Sequence, residues 1–254
     1  MKNQSRFIIS AVLATMLGGG CAVQPGENPK VQKSTEATVI ADGRFTGPEE
    51  DLPPGKVNLQ RLLNKAPDGG VVEIPLGRYE LATSLTIARR KNLHLAFAPG
   101  SQLRCSNTDA AVIKIESCRS LKISGVRARH VKPLPTYECH GPVVSIRASQ
   151  DIHIDNCELN GCGAVGVTAG DSTLKVTNCH IHDNTWNAFY LTSCKATVIG
   201  NLIERNANTL QAHRCEEIMW SDNFVRDNGG YWCKPRKPGL RPGSEPDLQP
   251  VTGK

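Results

Sequence analysis

After Leu17 this 254-residue sequence has no stretch long and apolar enough to span a bilayer. That excludes a helical membrane protein for the body of the chain. Aromatic residues are scarce, at 5%, so an aromatic side chain on an exposed surface is a candidate ligand contact. The net charge is +6, but the cations are diffuse, several lie in the two tails, and no nucleic-acid motif accompanies them. The balance favours solubility and a weak attraction to anionic lipid or polysaccharide. No nucleic-acid partner is expected, and nothing in the sequence requires a cofactor.

The first residues carry what the rest lacks. Lys2 and Arg6 precede an apolar run from Phe7 to Leu17, and Gly18-Gly19-Gly20-Cys21 follows. A run this short, basic ahead and small behind, is an export signal rather than a membrane span. Residues 1–20 therefore read as a signal peptide, and Cys21 as a lipidated mature N-terminus resembling a lipobox. Gly18 stands where that pattern has a leucine, which leaves simple cleavage as the alternative. Residues 21–36 read as a flexible tether, and the Pro-rich basic stretch 234–254 as a disordered tail. The expected location is the periplasm or cell surface, with membrane attachment through the lipid anchor alone.

Between the tails lies a 22-residue repeat. Ile152, Leu174, Ala196 and Ile218 form one row, Ile154, Val176, Val198 and Trp220 a second, and Leu159, Ile181, Ile203 and Val225 a third. Asn156, Asn178, Gly200 and Asp222 form a turn row between the second and third, and the Asn156 and Asn178 amides are expected to stack there. Cys157, Cys179, Asn201 and Asn223 run beside it, and Cys162, Asn184, Asn206 and Asn228 begin the next bend. Apolar-x-apolar segments separated by such corners are short strands with one buried face. A third strand closes each coil, at 165–169, 187–191 and 208–212. One coil cannot bury its own apolar face, but stacking coils at about 4.8 Å makes a continuous core and pairs the backbone between coils.

The fold class predicted is therefore all-β, a right-handed parallel β-helix over 37–233 with about seven coils of roughly 22 residues. Val57 to Ala66 reads as a short amphipathic capping helix, with Leu59, Leu62 and Leu63 on one face. A leucine-rich repeat shares the period, but its asparagine spacing and leucine content do not match. The segment Asp68-Gly69-Gly70-Val71-Val72-Glu73-Ile74-Pro75-Leu76-Gly77-Arg78-Tyr79 resembles the opening coil of the pectin-lyase-like β-helix superfamily. The repeats from Ile152 onward are similar to its generic carbohydrate-active repeat. That resemblance covers roughly residues 37 to 233. It implies the fold, and a ligand lying along one parallel sheet beside long entering loops, without choosing among lyases, hydrolases, esterases, epimerases and non-catalytic members.

The coil from Leu121 to Asp151 carries an insertion, 129–142, and long loops in compact repeats are commonly functional. Alternation turns Ser145, Arg147, Thr168, Tyr190, Thr192, Gln211 and His213 outward on the sheet it enters. With Trp186 and Tyr137 nearby, the expected ligand contacts are Arg147, Thr168, Trp186, Tyr190, Gln211 and Tyr137. Aromatic faces stack on sugar rings, and Arg147 or Lys132 can pair with a uronate. The partner predicted is a polysaccharide, acidic where those cations are used; an ordinary polar solenoid face is the alternative.

No Asp or Glu is expected on that face, which removes the two carboxylates of glycoside hydrolysis. No carboxylate cluster suits a calcium-dependent lyase either. Arg147, Lys132, His140, Tyr190 and His213 remain as acid–base candidates for lyase- or epimerase-like processing. A non-catalytic structural or adhesive solenoid is the competing function. His180 and His182 share one side of a strand and can be read as a metal pair; the register gives the plainer account of Glu158 over His180, Glu204 over His182 and Arg205 beside Asp183. Ten cysteines, one of them Cys21, leave nine in the body. Cys157 over Cys179 and Cys194 over Cys215 can be bridged or can be buried thiols, and Cys118 with Cys139 would tie down the long loop.

Overall fold

A computed structural model describes residues 52–131, 140–161 and 164–229. The signal segment, Cys21, the tether, the tail, the acid–base candidate Lys132, the predicted contact Tyr137, and the cysteines Cys139 and Cys162 lie outside those residues.

The chain winds as a solenoid of about six turns. One parallel sheet has six strands, Leu85–Ala88, Ile113–Glu116, Val144–Arg147, Val165–Gly170, Asn187–Thr192 and Asn208–His213. A twelve-stranded sheet wraps the other sides, and its strands Lys91–Cys105 and Arg119–His130 each run through a corner. Every pairing is parallel and joins one turn to the next. Leu121, Ile152, Leu174, Ala196 and Ile218 pair successively, as do Ile154, Val176, Val198 and Trp220. The third row, Leu159 to Val225, does the same. These rows meet in one core in which Ile181, Val176 and Phe189 are completely buried.

At the N-terminal end the helix Leu59–Lys65 seats Leu59 and Leu63 on that core. Asn58 caps it, its Oδ1 accepting from Arg61 N–H at 2.9 Å. Towards the other end Phe189 meets Trp220 edge-on, with ring centroids 5.9 Å apart. There Leu210, Ile218, Trp220 and Val225 are partly buried.

The corners explain how β-branched segments turn so sharply. At one corner Arg89, Ser117, Ala148, Asp171, Ser193 and Arg214 all adopt left-handed backbone, with φ between 48° and 57°. Such a conformation costs a non-glycine residue about 1 kcal/mol or more. Two bonds offset it. The backbone N–H donates to the next turn, as Ala148 does to Gly170 O at 3.0 Å and Ser193 to His213 O at 2.9 Å. The following side chain then donates back to the carbonyl two residues earlier. Ser149 reaches Arg147 O at 2.8 Å, Ser172 reaches Gly170 O at 2.7 Å, and Cys194 reaches Thr192 O at 3.2 Å.

Asn156, Asn178, Gly200 and Asp222 form a second left-handed row. Here the expected amide stack is corrected. Asn178 Nδ2 donates to Asp155 at 3.1 Å rather than to Asn156, because left-handed backbone directs that side chain outward. The amide ladders stand elsewhere. Asn201 Nδ2 donates to Asn223 at 2.9 Å, and Asn201 Oδ1 accepts from Cys179 N–H. Asn184 Nδ2 donates to Asn206 at 2.8 Å, and Asn206 Nδ2 to Asn228 at 3.0 Å.

The cysteines follow the same logic. Cys105, Cys118, Cys157, Cys179, Cys194 and Cys215 are buried free thiols. Cys179 Sγ donates to Thr177 O at 3.1 Å, doing what Asn201 does one turn later towards Ile199 O. Cys118 Sγ is directed to the Ile87 and Glu116 carbonyls; Cys139, its expected partner, lies outside the described residues.

Candidate functional site

The outward side of the six-stranded sheet follows from strand alternation. Thr86, Lys114, Ser145, Thr168, Tyr190 and Gln211 are successive partners in one row. Glu116, Arg147, Gly170, Thr192 and His213 form the row beside it. Four predicted contacts, Arg147, Thr168, Tyr190 and Gln211, and the acid–base candidate His213 are thus brought onto one face. Trp186 enters from the loop before Asn187 and is half exposed.

The three rings make a continuous aromatic surface. Trp186 and Tyr190 have centroids 6.3 Å apart, and Tyr190 and His213 5.6 Å apart. Gln211 is fixed between neighbours: its Oε1 accepts from Asn187 Nδ2 at 3.1 Å, and its Nε2 donates to His213 Nε2 at 3.1 Å. That bond leaves the proton of neutral His213 on Nδ1. His140 pairs with the exposed Asp109 at 3.0 Å, on the loops that lead into Val144–Arg147 and Ile113–Glu116.

The expectation of a face without carboxylates is corrected. The strand Ile113–Glu116 belongs to this sheet and places Glu116 in register with Arg147. Glu116 accepts an ion pair from Lys114 at 2.9 Å. Lys114 and Glu116 were missed because the turns before Ile152 are longer, 28 residues from Leu93 to Leu121 and 31 from Leu121 to Ile152.

Two polar clusters lie on the other sheet. In the first, Glu158, His180, His182, Asp183, Glu204, Arg205 and Arg226 interlock. His180 does face Glu158 in the backbone register and His182 faces Glu204. The side chains pair diagonally instead, His180 Nε2 with Glu204 at 3.1 Å and His182 Nε2 with Glu158 at 3.4 Å. Asp183 takes His182 Nδ1 at 2.6 Å and Arg205 at 2.8 Å. Burial, and then the neighbouring His182, push His180 down to about 4. Burial opposes charge on His182 as well, but Asp183 and Glu158 outweigh it and raise its pKa. Glu204 is pulled down to about 2 against its burial by Arg226 and Arg205. The imidazoles stack at 3.9 Å, and each is engaged by carboxylates. Among the described residues no group of three or more His, Cys, Asp or Glu is arranged to hold a metal ion.

In the second cluster His153 Nε2 meets Thr177 Oγ1 at 2.8 Å, Thr177 donates to Asp155 at 2.8 Å, and Lys122 pairs with Asp155 at 2.8 Å. The one hydroxyl proton goes to the carboxylate, so His153 is the donor through Nε2. Burial lowers the pKa of His153, as it does that of His94, which meets Ser124 at 2.8 Å. This chain of bonds was not legible in the sequence, because its members belong to three turns.

No curated protein matches the sequence. Among solved structures, the ORF18 protein of Geobacillus virus E2 aligns with a TM-score of 0.53 at 14% identity. The alignment covers 69% of this chain and 38% of that one, so this chain spans well under half of the viral protein. A pectin methylesterase in complex with a hexasaccharide gives 0.43 at 13% identity, covering 64% of each chain. An alginate lyase from Paenibacillus sp. gives 0.41 at 12% identity, covering 67% of this chain and 70% of that one. The first of these shares the fold. The family described as right-handed β-helix region matches residues 107–234, half of the chain and most of the turns traced above, and the protein belongs to that family.

Proposed function

We propose that the protein is an exported lipoprotein, anchored through Cys21, that binds a polysaccharide along its six-stranded face. The observation that carries this reading is the run of Trp186, Tyr190 and His213 rings on the same face as Arg147. Aromatic faces suit the apolar faces of sugar rings, and a guanidinium suits a uronate carboxylate. Binding is favoured over hydrolysis. Among the described residues that face carries one carboxylate, Glu116, where glycoside hydrolysis uses two. Lyase- or epimerase-type proton transfer would fall to Tyr190 and His213, with Arg147 neutralising the uronate.

The test is binding of uronate-containing polysaccharides to wild type and to a Trp186→Ala, Arg147→Ala double variant. Loss of one ring contact and one charge-assisted bond should weaken binding by roughly 10- to 100-fold. Melting should barely move, because neither side chain enters the core. A double variant that binds as well as wild type would place the site elsewhere, and a broad glycan screen without a ligand would favour the adhesive solenoid. Ultraviolet absorbance of unsaturated uronate products separates a lyase from a binder.

A further inference from the structure

The six-stranded face changes character along the solenoid axis. Charge is confined to two adjacent strands, with Lys114 and Glu116 on one and Arg147 on the next. The following three strands present Thr168 with Gly170, then Tyr190 with Thr192, then Gln211 with His213. Lys114 is occupied by Glu116. Arg147 is exposed, and among the described residues its side chain makes no hydrogen bond or ion pair. Between Arg147 and Thr192 that row is open, since a Cβ added at Gly170 would meet nothing within 4 Å.

Strands repeat at about 4.8 Å, close to the length of one pyranose unit in an extended glycan. A chain lying along the axis therefore presents about one sugar to each strand. A homopolyuronate would bring a carboxylate to every strand. Over Thr168, Tyr190 and Gln211 the described strands present no lysine or arginine to receive it, and an anion pressed against aromatic rings loses hydration without compensation. A neutral glycan would leave Arg147 unused.

We infer that the face selects a sparsely charged acidic heteropolysaccharide, with one carboxylate-bearing sugar beside Arg147 and neutral sugars over Trp186, Tyr190 and His213. This inference rests on the glycan-binding reading above and narrows its substrate class. Gly170 then leaves room for a bulky or branched unit between the two regions.

Three probes test it by isothermal titration calorimetry with the full chain. Deacylated gellan has one uronate in each tetrasaccharide repeat, polygalacturonate has one at every unit, and a soluble β-glucan has none. Gellan should bind about tenfold or more tighter than either of the others. Arg147→Gln should reduce gellan binding to the level of the neutral glucan. Gly170→Trp should weaken gellan binding without altering the circular dichroism spectrum. Polygalacturonate or glucan binding as tightly as gellan would overturn the inference and leave the glycan-binding reading standing. So would gellan affinity that survives Arg147→Gln. Absence of binding to all three would overturn both.

Discussion

The side-chain amide of Gln60 pairs with the backbone of Thr86 as a neighbouring strand would. Thr86 N–H donates to Gln60 Oε1 at 2.9 Å, and Gln60 Nε2 donates to Thr86 O at 2.9 Å. Thr86 lies on the first strand of the six-stranded sheet, so the helix Leu59–Lys65 closes this edge as well as covering the core. Open sheet edges invite pairing with other chains.

Gln60→Ala should therefore cost about 1–2 kcal/mol, the loss of two partly buried hydrogen bonds. It should also promote concentration-dependent association through the freed edge. Urea denaturation and sedimentation velocity measure the two effects. Unchanged stability would mean that water replaces the amide at no cost.

Asn206 joins three turns. Its amide donates to Ile181 O at 3.0 Å and to Asn228 at 3.0 Å, and its Oδ1 accepts from Asn184 at 2.8 Å. Asn206→Ala leaves buried partners on both sides, and each orphaned group costs about 1–3 kcal/mol. A loss of roughly 3 kcal/mol is expected in denaturant titration. Asn178→Ala, at the row whose amides do not ladder, should cost much less.

That contrast marks how far the sequence could be read. The inward rows were legible because Ile154, Val176 and Val198 recur at a fixed period and chemistry, and the structure pairs them directly. The Asn156 corner was legible because Asn and Gly tolerate left-handed backbone. The corners at Ala148, Ser193 and Arg205 were not, since those residues carry no such signature. Their conformation comes from bonds to adjacent turns. The amide ladder was assigned one residue early because asparagines occupy both neighbouring rows. On the candidate face, Tyr190, Gln211 and Arg147 followed from alternation, whereas Glu116 lay in a turn of irregular length that hid its membership of the sheet. The diagonal pairing of His180 and His182 was beyond reach, because the backbone register does not dictate where long side chains meet.

The export proposal is tested independently of the solenoid. Cys21→Ser should abolish lipid attachment and leave the domain folded, either released or unprocessed. Mass spectrometry of the wild-type N-terminus decides it: an unlipidated Cys21 would reduce the proposal to simple export.

His180 supplies the last prediction. Its pKa in the fold is about 4, chiefly because burial disfavours the imidazolium and His182 repels it, whereas an unfolded histidine titrates near 6.5. The unfolded chain therefore takes up this proton first. As pH falls from about 6.5 towards 4, stability is lost, and below 4 this group causes no further loss. Between pH 7 and pH 5 the expected loss is about 2 kcal/mol. His182 acts in the opposite sense, since its raised pKa adds stability that is present at low pH and lost as pH rises. Glu204, held at about 2, contributes stability lost only below its unfolded value near 4.5, outside this window. Replacing His180 with Gln removes one titration and keeps a side chain able to meet Glu204. Denaturant titrations of wild type and His180→Gln at pH 7 and pH 5 should show a shallower pH dependence in the variant by about 2 kcal/mol. Equal slopes would mean that His182, rather than His180, remains neutral inside the network.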